Sequence, residues 1–165
     1  MAFDCFLKID GIEGESTDGA HKNWIELLSF SHGMSQPASS VVSSAGGAGS
    51  GRVNMQDFSI VKHFDSATPK LAEACCTGKH FPSLKIEICR AGGDKLKYME
   101  YKLTNVLVSG VRPGGSAHGG DEVPLEEVTF NFGKIEWTYT HQDRGTGAGS
   151  GQISAGWDLQ TNKKV

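Results

Sequence analysis

Apolar side chains recur at every second position along most of this chain and at helical spacing in one stretch only, which restricts it to a sheet-dominated fold. From Phe3 to Ile9, residues Phe3, Cys5, Leu7 and Ile9 share one side and Asp4 and Lys8 the other, with Phe6 as the exception. That is the pattern of a half-buried strand. Leu84, Ile86 and Ile88 alternate with Lys85 and Glu87, and Ala91-Gly92-Gly93-Asp94 turns the chain into a second run from Leu96 to Leu103, predicting a hairpin. Val106, Leu107 and Val108 carry that strand on to Gly110. Val128, Phe130 and Phe132 occupy even positions but Ile135, Trp137 and Tyr139 odd ones; a bulge at Gly133 within one long strand accounts for the change of phase. Trp24 to Ser31 is apolar on both faces and reads as a strand covered on two sides. Val53 to Phe64 reads as a strand with one irregularity near Asp57, and Ala155 to Gln160 as a short final strand.

The helical stretch is Ser66 to Gly78. Ser66 or Thr68 is expected to cap it, Pro69 suits its first turn and Gly78 its exit, while Leu71, Ala74 and Cys75 fall on one face. About eight strands and one helix predict a mainly β protein, a two-sheet antiparallel β-barrel or sandwich with one short flanking α-helix. The length of 165 residues suits one domain, 1–165. Glycine is abundant, 22 of 165 residues, nearly twice the usual share of roughly 7%. It gathers in three places: Gln36 to Gly51, Pro113 to Asp121, and Gly145 to Gly151. The first is long for a connection inside a compact domain and is either disordered or reaches for something, the second reads as another long flexible loop, and the third as a linker.

Several function classes drop out. The 16 basic and 19 acidic residues give a net charge of -3, which leaves no excess to neutralise phosphates and argues against a nucleic-acid partner. No apolar run approaches the ~20 residues that span a bilayer, so no membrane partner is expected. Met1 to Lys8 carries neither a basic leader nor a cleavage site, so a cytoplasmic origin without a signal peptide is expected. Cys5, Cys75, Cys76 and Cys89 form no C-x-x-C pair and read as reduced, buried thiols. No serine has the G-x-S-x-G frame, and Gly78-Lys79-His80 and Gly133-Lys134-Ile135 both fail as phosphate loops. Cys75, Cys76 and His80 are the nearest approach to a metal set, but adjacent cysteines on a helix point about 100° apart and read as packing. Glu126 and Glu127 face opposite sides of a strand and read as solvated charges rather than a catalytic pair. Trp24, Phe30, Phe58, Trp137, Tyr139 and Trp157 read as core. No enzyme, metal or cofactor is predicted. A strand-rich body with long glycine- and serine-rich loops suits a protein that works by contacting others.

Particular strings narrow this further: Glu26-Leu27-Leu28-Ser29-Phe30-Ser31-His32-Gly33-Met34-Ser35-Gln36, Val53-Asn54-Met55-Gln56-Asp57, Asp65-Ser66-Ala67-Thr68-Pro69-Lys70-Leu71, and Gly156-Trp157-Asp158-Leu159. With these anchors in order over nearly its whole length, the chain closely resembles the haemolysin-coregulated protein (Hcp) family, inner-tube subunits of the bacterial type VI secretion system. The resemblance implies hexameric rings that stack into a hollow tube, a contractile sheath around it, a valine-glycine repeat spike (VgrG) at its tip and effector proteins in its lumen. It also implies release through that system without a signal peptide, and a likeness to bacteriophage tail tubes.

By the same resemblance, the segment holding Val41, Val42, Ser43, Ser44, Gly46, Gly47, Gly49 and Gly51 corresponds to the loop that reaches a neighbouring subunit or ring. Val41 and Val42, apolar in a polar loop, would gain burial only on assembly. Arg112, Pro113, His118 and Asp121 mark a second contact loop, and Ser31 is the candidate lumen residue. The competing reading is a monomeric carbohydrate- or peptide-binding β-sandwich that uses its loops and tryptophans.

Overall fold

The computed structural model describes residues 2–37, 51–93, 95–120, 122–143 and 149–165. These hold eleven strands and one helix. The strands are β1 (Phe3–Ile9), β2 (Ile25–Leu27), β3 (Ser29–Ser31), β4 (Met34–Ser35), β5 (Asn54–Met55) and β6 (Phe58–His63) before helix α1 (Thr68–Thr77). After it come β7 (His80–Arg90), β8 (Lys97–Gly114), β9 (Leu125–Gln142), β10 (Gly149–Asp158) and β11 (Lys163–Lys164). All pairings are antiparallel, in the order β11-β10-β9-β8-β7-β1-β2, with β9 also joined to β6 and β6 to β3.

That order closes on itself. Leu28 interrupts the Trp24–Ser31 stretch, so that β2 pairs with β1 and β3 with β6. The Leu28 N–H donates to the Val61 carbonyl at 2.8 Å and carries one strand from one neighbour to the other. The stretch is therefore not covered on both faces as its composition suggested. Ile25 and Leu27 face the core, Leu28 is exposed, and Ser29 and Ser31 point outward on either side of half-buried Phe30. Inside the barrel, Leu7, Ile25, Ile60, Ile86, Leu103 and Ile135 are fully buried, each contributing roughly 1.5–3 kcal/mol. Phe58 is equally buried, stacked on Phe30 at 6.1 Å and edge-on to Tyr101 at 5.2 Å.

The predicted change of phase at Gly133 is present, but its cause is different. Pairing runs in register through that point, Thr104 with Lys134 and Val106 with Phe132. Opposite Gly133 stands Asn105, at a left-handed φ of 55° that only glycine and asparagine adopt readily, and both strands exchange their buried face there. The irregularity of register lies between Val108 and Gly110 on β8. One edge of β9 follows β8 throughout, whereas the other pairs with β6 through its first half and with β10 through its second. Gly149 to Gly151, read as linker, belongs to β10.

Helix α1 rests on β8 through Leu71 and Ala74. Its N-cap is Ala67, without a side-chain cap, rather than Ser66 or Thr68. Asp65 accepts from the Ala67 N–H at 2.9 Å, and the Thr68 hydroxyl is turned back to Asp65 N and to Glu126. Gly78 ends the helix in the left-handed region at φ 67°, as its position implied. All four cysteines are free thiols, but Cys75 is half-buried and Cys76 exposed, so only Cys5 and Cys89 are buried as expected.

Two polar features sit in or beside the core. Glu126, read as solvated, is buried and paired across the strands with Lys62, which is also fully buried. Lys62 further donates to Asp65 at 2.8 Å, the His63 carbonyl at 2.9 Å and Thr68 Oγ1 at 3.3 Å. His32 stacks on Phe58 at 5.4 Å and lies edge-on to Phe132 at 5.6 Å, and neither ring nitrogen has a hydrogen-bond partner. Burial holds its pKa below the ordinary 6.5, against a weaker opposing pull from the Gln56 backbone.

Above 6.5 the His32 imidazole is neutral whether folded or unfolded. As pH falls below that value the unfolded chain takes the proton first, and stability is lost until the folded ring is protonated too. His32→Phe is expected to keep stability at pH 7 within about 1 kcal/mol of the parent and to flatten its decline on the acid side. Denaturant midpoints across the acid range check this; an unchanged acid slope in the variant would rule out His32 as the source.

Candidate assembly surfaces

Two faces of the barrel wall differ sharply in chemistry. One continues the core outward along β8, β9 and β10. Leu103, Ile135 and Trp157 stand side by side, followed by Tyr101, Trp137 and Ala155, and then by Met99, Tyr139 and Ile153. Because side chains two apart on a strand share a face, these rows form one apolar surface. Its first row is sealed, with Leu103 and Ile135 fully buried. The last is open: Tyr139, read as core, is exposed, and Ile153 is 72% exposed. Beside Ile153, β10 pairs with β11 only through Trp157 and Asp158, leaving its Gly149–Ala155 border without a strand partner among the described residues.

The other face is the outside of β3, β6, β9 and β8. Ser31 is directly opposite Ser59, which is opposite Thr129. The Thr129 hydroxyl lies 2.9 Å from that of Ser109, which donates to Asp57 at 2.7 Å, and Asn131 donates to Asp57 at 3.0 Å. Ser59 donates to Glu127 at 3.2 Å. Ser31 is thus one member of a hydroxyl row whose other members sequence reasoning did not identify. They were legible, since Ser59, Thr129 and Asn131 occupy the solvent phase of strands whose buried phase was recognised.

The predicted contact loops meet the structure unevenly. Val41, Val42, Ser43, Ser44, Gly46, Gly47 and Gly49 lie outside the described residues, as does Asp121. The loop's base is described: β4 and β5 form a separate two-stranded ribbon, Gln56 N–H donates to the Gly33 carbonyl at 2.9 Å, and Gln36 donates to Gly51. Met34 on this ribbon is exposed. Arg112 and Pro113 belong to the last part of β8, paired with Glu127 and Glu126, rather than to a loop. The strand outlasts Gly110 because β9 offers a partner along its whole length. His118 is exposed in the turn that follows, where Gly119 N–H donates to Ser116 at 3.1 Å. Arg112 and Pro113 also line a cleft of about 1060 Å³ with Val61, Phe64, Pro124 and Glu126.

Nothing in these surfaces resembles a catalytic centre. Burial pushes the Cys5 thiol up to about 12, and burial with nearby Glu87 pushes Cys89 to about 11, so neither is a ready nucleophile. The donor atoms of Cys75, Cys76 and His80 do not come together among the described residues. No helix among the described residues is long and apolar enough to cross a membrane.

Comparison with known proteins identifies the arrangement. The sequence profile described as "Type VI secretion system effector, Hcp" matches residues 6–139. Protein hcp1 of Pseudomonas aeruginosa is 41% identical over 163 residues, covering 98% of each chain. A solved type six secretion system protein superposes with a TM-score of 0.92 at 40% identity, over 99% of this chain and 100% of that one. Hcp1 from Salmonella typhimurium does so with a TM-score of 0.82 at 34% identity, over 100% of both. These matches span the barrel, its helix and the apolar sheet that leaves the core, and by them the chain belongs to the Hcp family: it is a secreted tube subunit of type VI secretion, a structural protein and not an enzyme.

Proposed function

We propose that the ring contact of this subunit is made by the apolar sheet face ending in Met99, Tyr139 and Ile153, together with the unpaired border of β10. The observation that carries this reading is the exposure of Ile153, 72%, at the end of a cross-strand apolar row. A ring needs a heterologous contact, in which this face meets a different surface on the next copy and the rotation closes. An apolar row beside free backbone donors and acceptors suits such a contact. The hydroxyl row of Ser31, Ser59, Thr129 and Ser109 then suits the lumen wall. Ser109 bonds to Thr129 and Asp57, and Ser59 to Glu127, which gives a wettable surface with few apolar traps for passing effector proteins.

Stacking of rings is assigned to the segment that joins β4 to β5 in the sequence, with Arg112, Pro113, His118 and Asp121 as a second contact region. VgrG at the tip and the contractile sheath outside complete the set of partners. Release proceeds through the system itself. The monomeric sugar- or peptide-binding reading is not favoured. Replacing Val41 and Val42 with Asp is expected to leave rings intact and to shorten or abolish stacked tubes, because two charges would have to be desolvated at each contact. Electron microscopy and sedimentation of the purified protein check this; tubes of parental length would remove the segment from the stacking contact.

A further inference from the structure

Away from both assembly faces, the segment between β1 and β2 folds back over the outside of β1 and β7. Gly14 lies so close to Trp24 that a Cβ there would come within 2.5 Å of the Trp24 carbonyl, and Gly14 and Ser16 N–H groups donate to Asn23 and Trp24 carbonyls. The fold places His21 against the sheet, where its ring stacks flat on Phe6 at 4.2 Å and is 3% exposed. Asp18 Oδ1 lies 2.7 Å from its Nδ1 and Glu87 Oε2 2.7 Å from its Nε2. Cys89, two residues along β7 from Glu87 and on the same face, brings its Sγ to 3.9 Å from Nε2. The nitrogen, carboxylate and sulfur donors of His21, Glu87 and Cys89 all lie within 4.8 Å of one another. Neither the tube function nor the barrel core requires this convergence.

We propose that His21 Nε2, Glu87 Oε2 and Cys89 Sγ bind a zinc ion that fastens the Asp10–Trp24 segment to β7. Three observations carry the assignment. The donor set, imidazole, carboxylate and thiol, is one that a borderline-soft divalent cation takes in preference to magnesium or calcium. Tetrahedral zinc, bonded at about 2.0–2.1 Å to N or O and about 2.3 Å to S, holds its donors about 3.3–3.5 Å apart. The observed 2.7 and 3.9 Å from Nε2 bracket that range. Finally, His21 has the outer support usual for a ligand, with a carboxylate on its other nitrogen and a flat ring contact that fixes its orientation.

The surrounding charges fit the ion. Both nitrogens of His21 face carboxylate oxygens, Asp18 on one side and Glu87 on the other. Binding through Nε2 and the thiolate sulfur releases the thiol proton, and any proton on Nε2, to solvent. A coordinating thiol is deprotonated outright by the ion. Lys97, 3.4 Å from Glu87 Oε1 and paired with Glu100, leaves Oε2 to the metal. Lys95 bridges Asp4 and Asp18 at 2.9 Å to each, on the Asp18 oxygen that does not touch His21. Water completes the coordination.

The test is a Co2+ and Zn2+ titration of the full chain carrying Cys75→Ser and Cys76→Ser, which removes the less buried thiols. One Co2+ per chain is expected, with the visible bands of a tetrahedral site and a thiolate-to-cobalt charge-transfer band. Zn2+ should displace it and Mg2+ should not. Zinc at a hundredfold excess over its dissociation constant should raise the melting temperature by about 5–10 °C. Adding Cys89→Ala should abolish the charge-transfer band and the thermal shift. Asp18→Asn should keep the band at saturation but weaken binding about 10- to 100-fold. A folded protein showing no thiolate band with Co2+, or a Cys89→Ala variant that binds zinc as tightly as its parent, overturns the proposal and leaves His21 as a hydrogen-bonded bridge between Asp18 and Glu87.

Discussion

Lys62→Met is expected to destabilise the subunit by about 3–5 kcal/mol, because it strands a buried carboxylate. Lys62 follows Phe58 and Ile60 on the core phase of β6, and Glu126 precedes Val128 and Phe130 on the core phase of β9, directly opposite. Both side chains are fully shielded from solvent, and Glu126 Oε2 has no hydrogen-bond partner. Removing the lysine leaves Glu126 with the Thr68 hydroxyl alone on Oε1. Replacing both members, Lys62→Met with Glu126→Leu, removes the desolvation penalty along with the attraction and is expected to recover most of the loss. Denaturant unfolding at fixed protein concentration reads both variants. A single-variant cost below about 1 kcal/mol would mean that water reaches the pair.

The second large effect is on assembly rather than folding. Ile153→Asp is expected to convert rings into single subunits at micromolar concentration, while the barrel stays folded because the side chain is already 72% exposed. A truncated apolar anchor at the centre of a contact costs 2 kcal/mol or more, and a buried unpaired carboxylate adds to this. Each copy in a ring makes the contact twice, once with each neighbour. Mass measurement in solution beside a circular dichroism spectrum separates the outcomes. Rings that persist with the parental mass would show that the contact lies elsewhere.

Much of the fold was legible because the barrel obeys period two. β1, β7 and the buried phases of β8 and β9 follow directly from alternation, and α1 from Pro69, Gly78 and the spacing of Leu71 and Ala74. What escaped was partner exchange. Composition cannot tell a strand covered on both faces from one that changes neighbour midway, as Ile25–Ser31 does at Leu28. Nor does it separate a bulge at Gly133 from a left-handed Asn105 across the ladder. Ser31 was singled out as the lumen candidate on a strand whose faces alternation did not distinguish, and its companions Ser59, Thr129 and Ser109 come from three other strands that only register brings together. The same holds for Lys62 and Glu126. A charge on the core phase of each of two strands was the available signal, and it becomes a pair only when the strands are known to be adjacent. Glu87 and Cys89 are neighbours on one face of β7, but His21 lies 66 residues before Glu87, and no spacing motif joins them.

The change of partner at Leu28 has a consequence for how such a protein keeps in solution before use. A wall that closes on itself offers no long template for uncontrolled strand addition, the route by which abundant β proteins form insoluble fibrils. The Gly149–Ala155 border is the main exception among the described residues, and it lies beside Ile153. If the ring contact is the one proposed above, ordered joining hides the same feature that would otherwise seed precipitation, so that assembly protects the subunit as well as building the conduit.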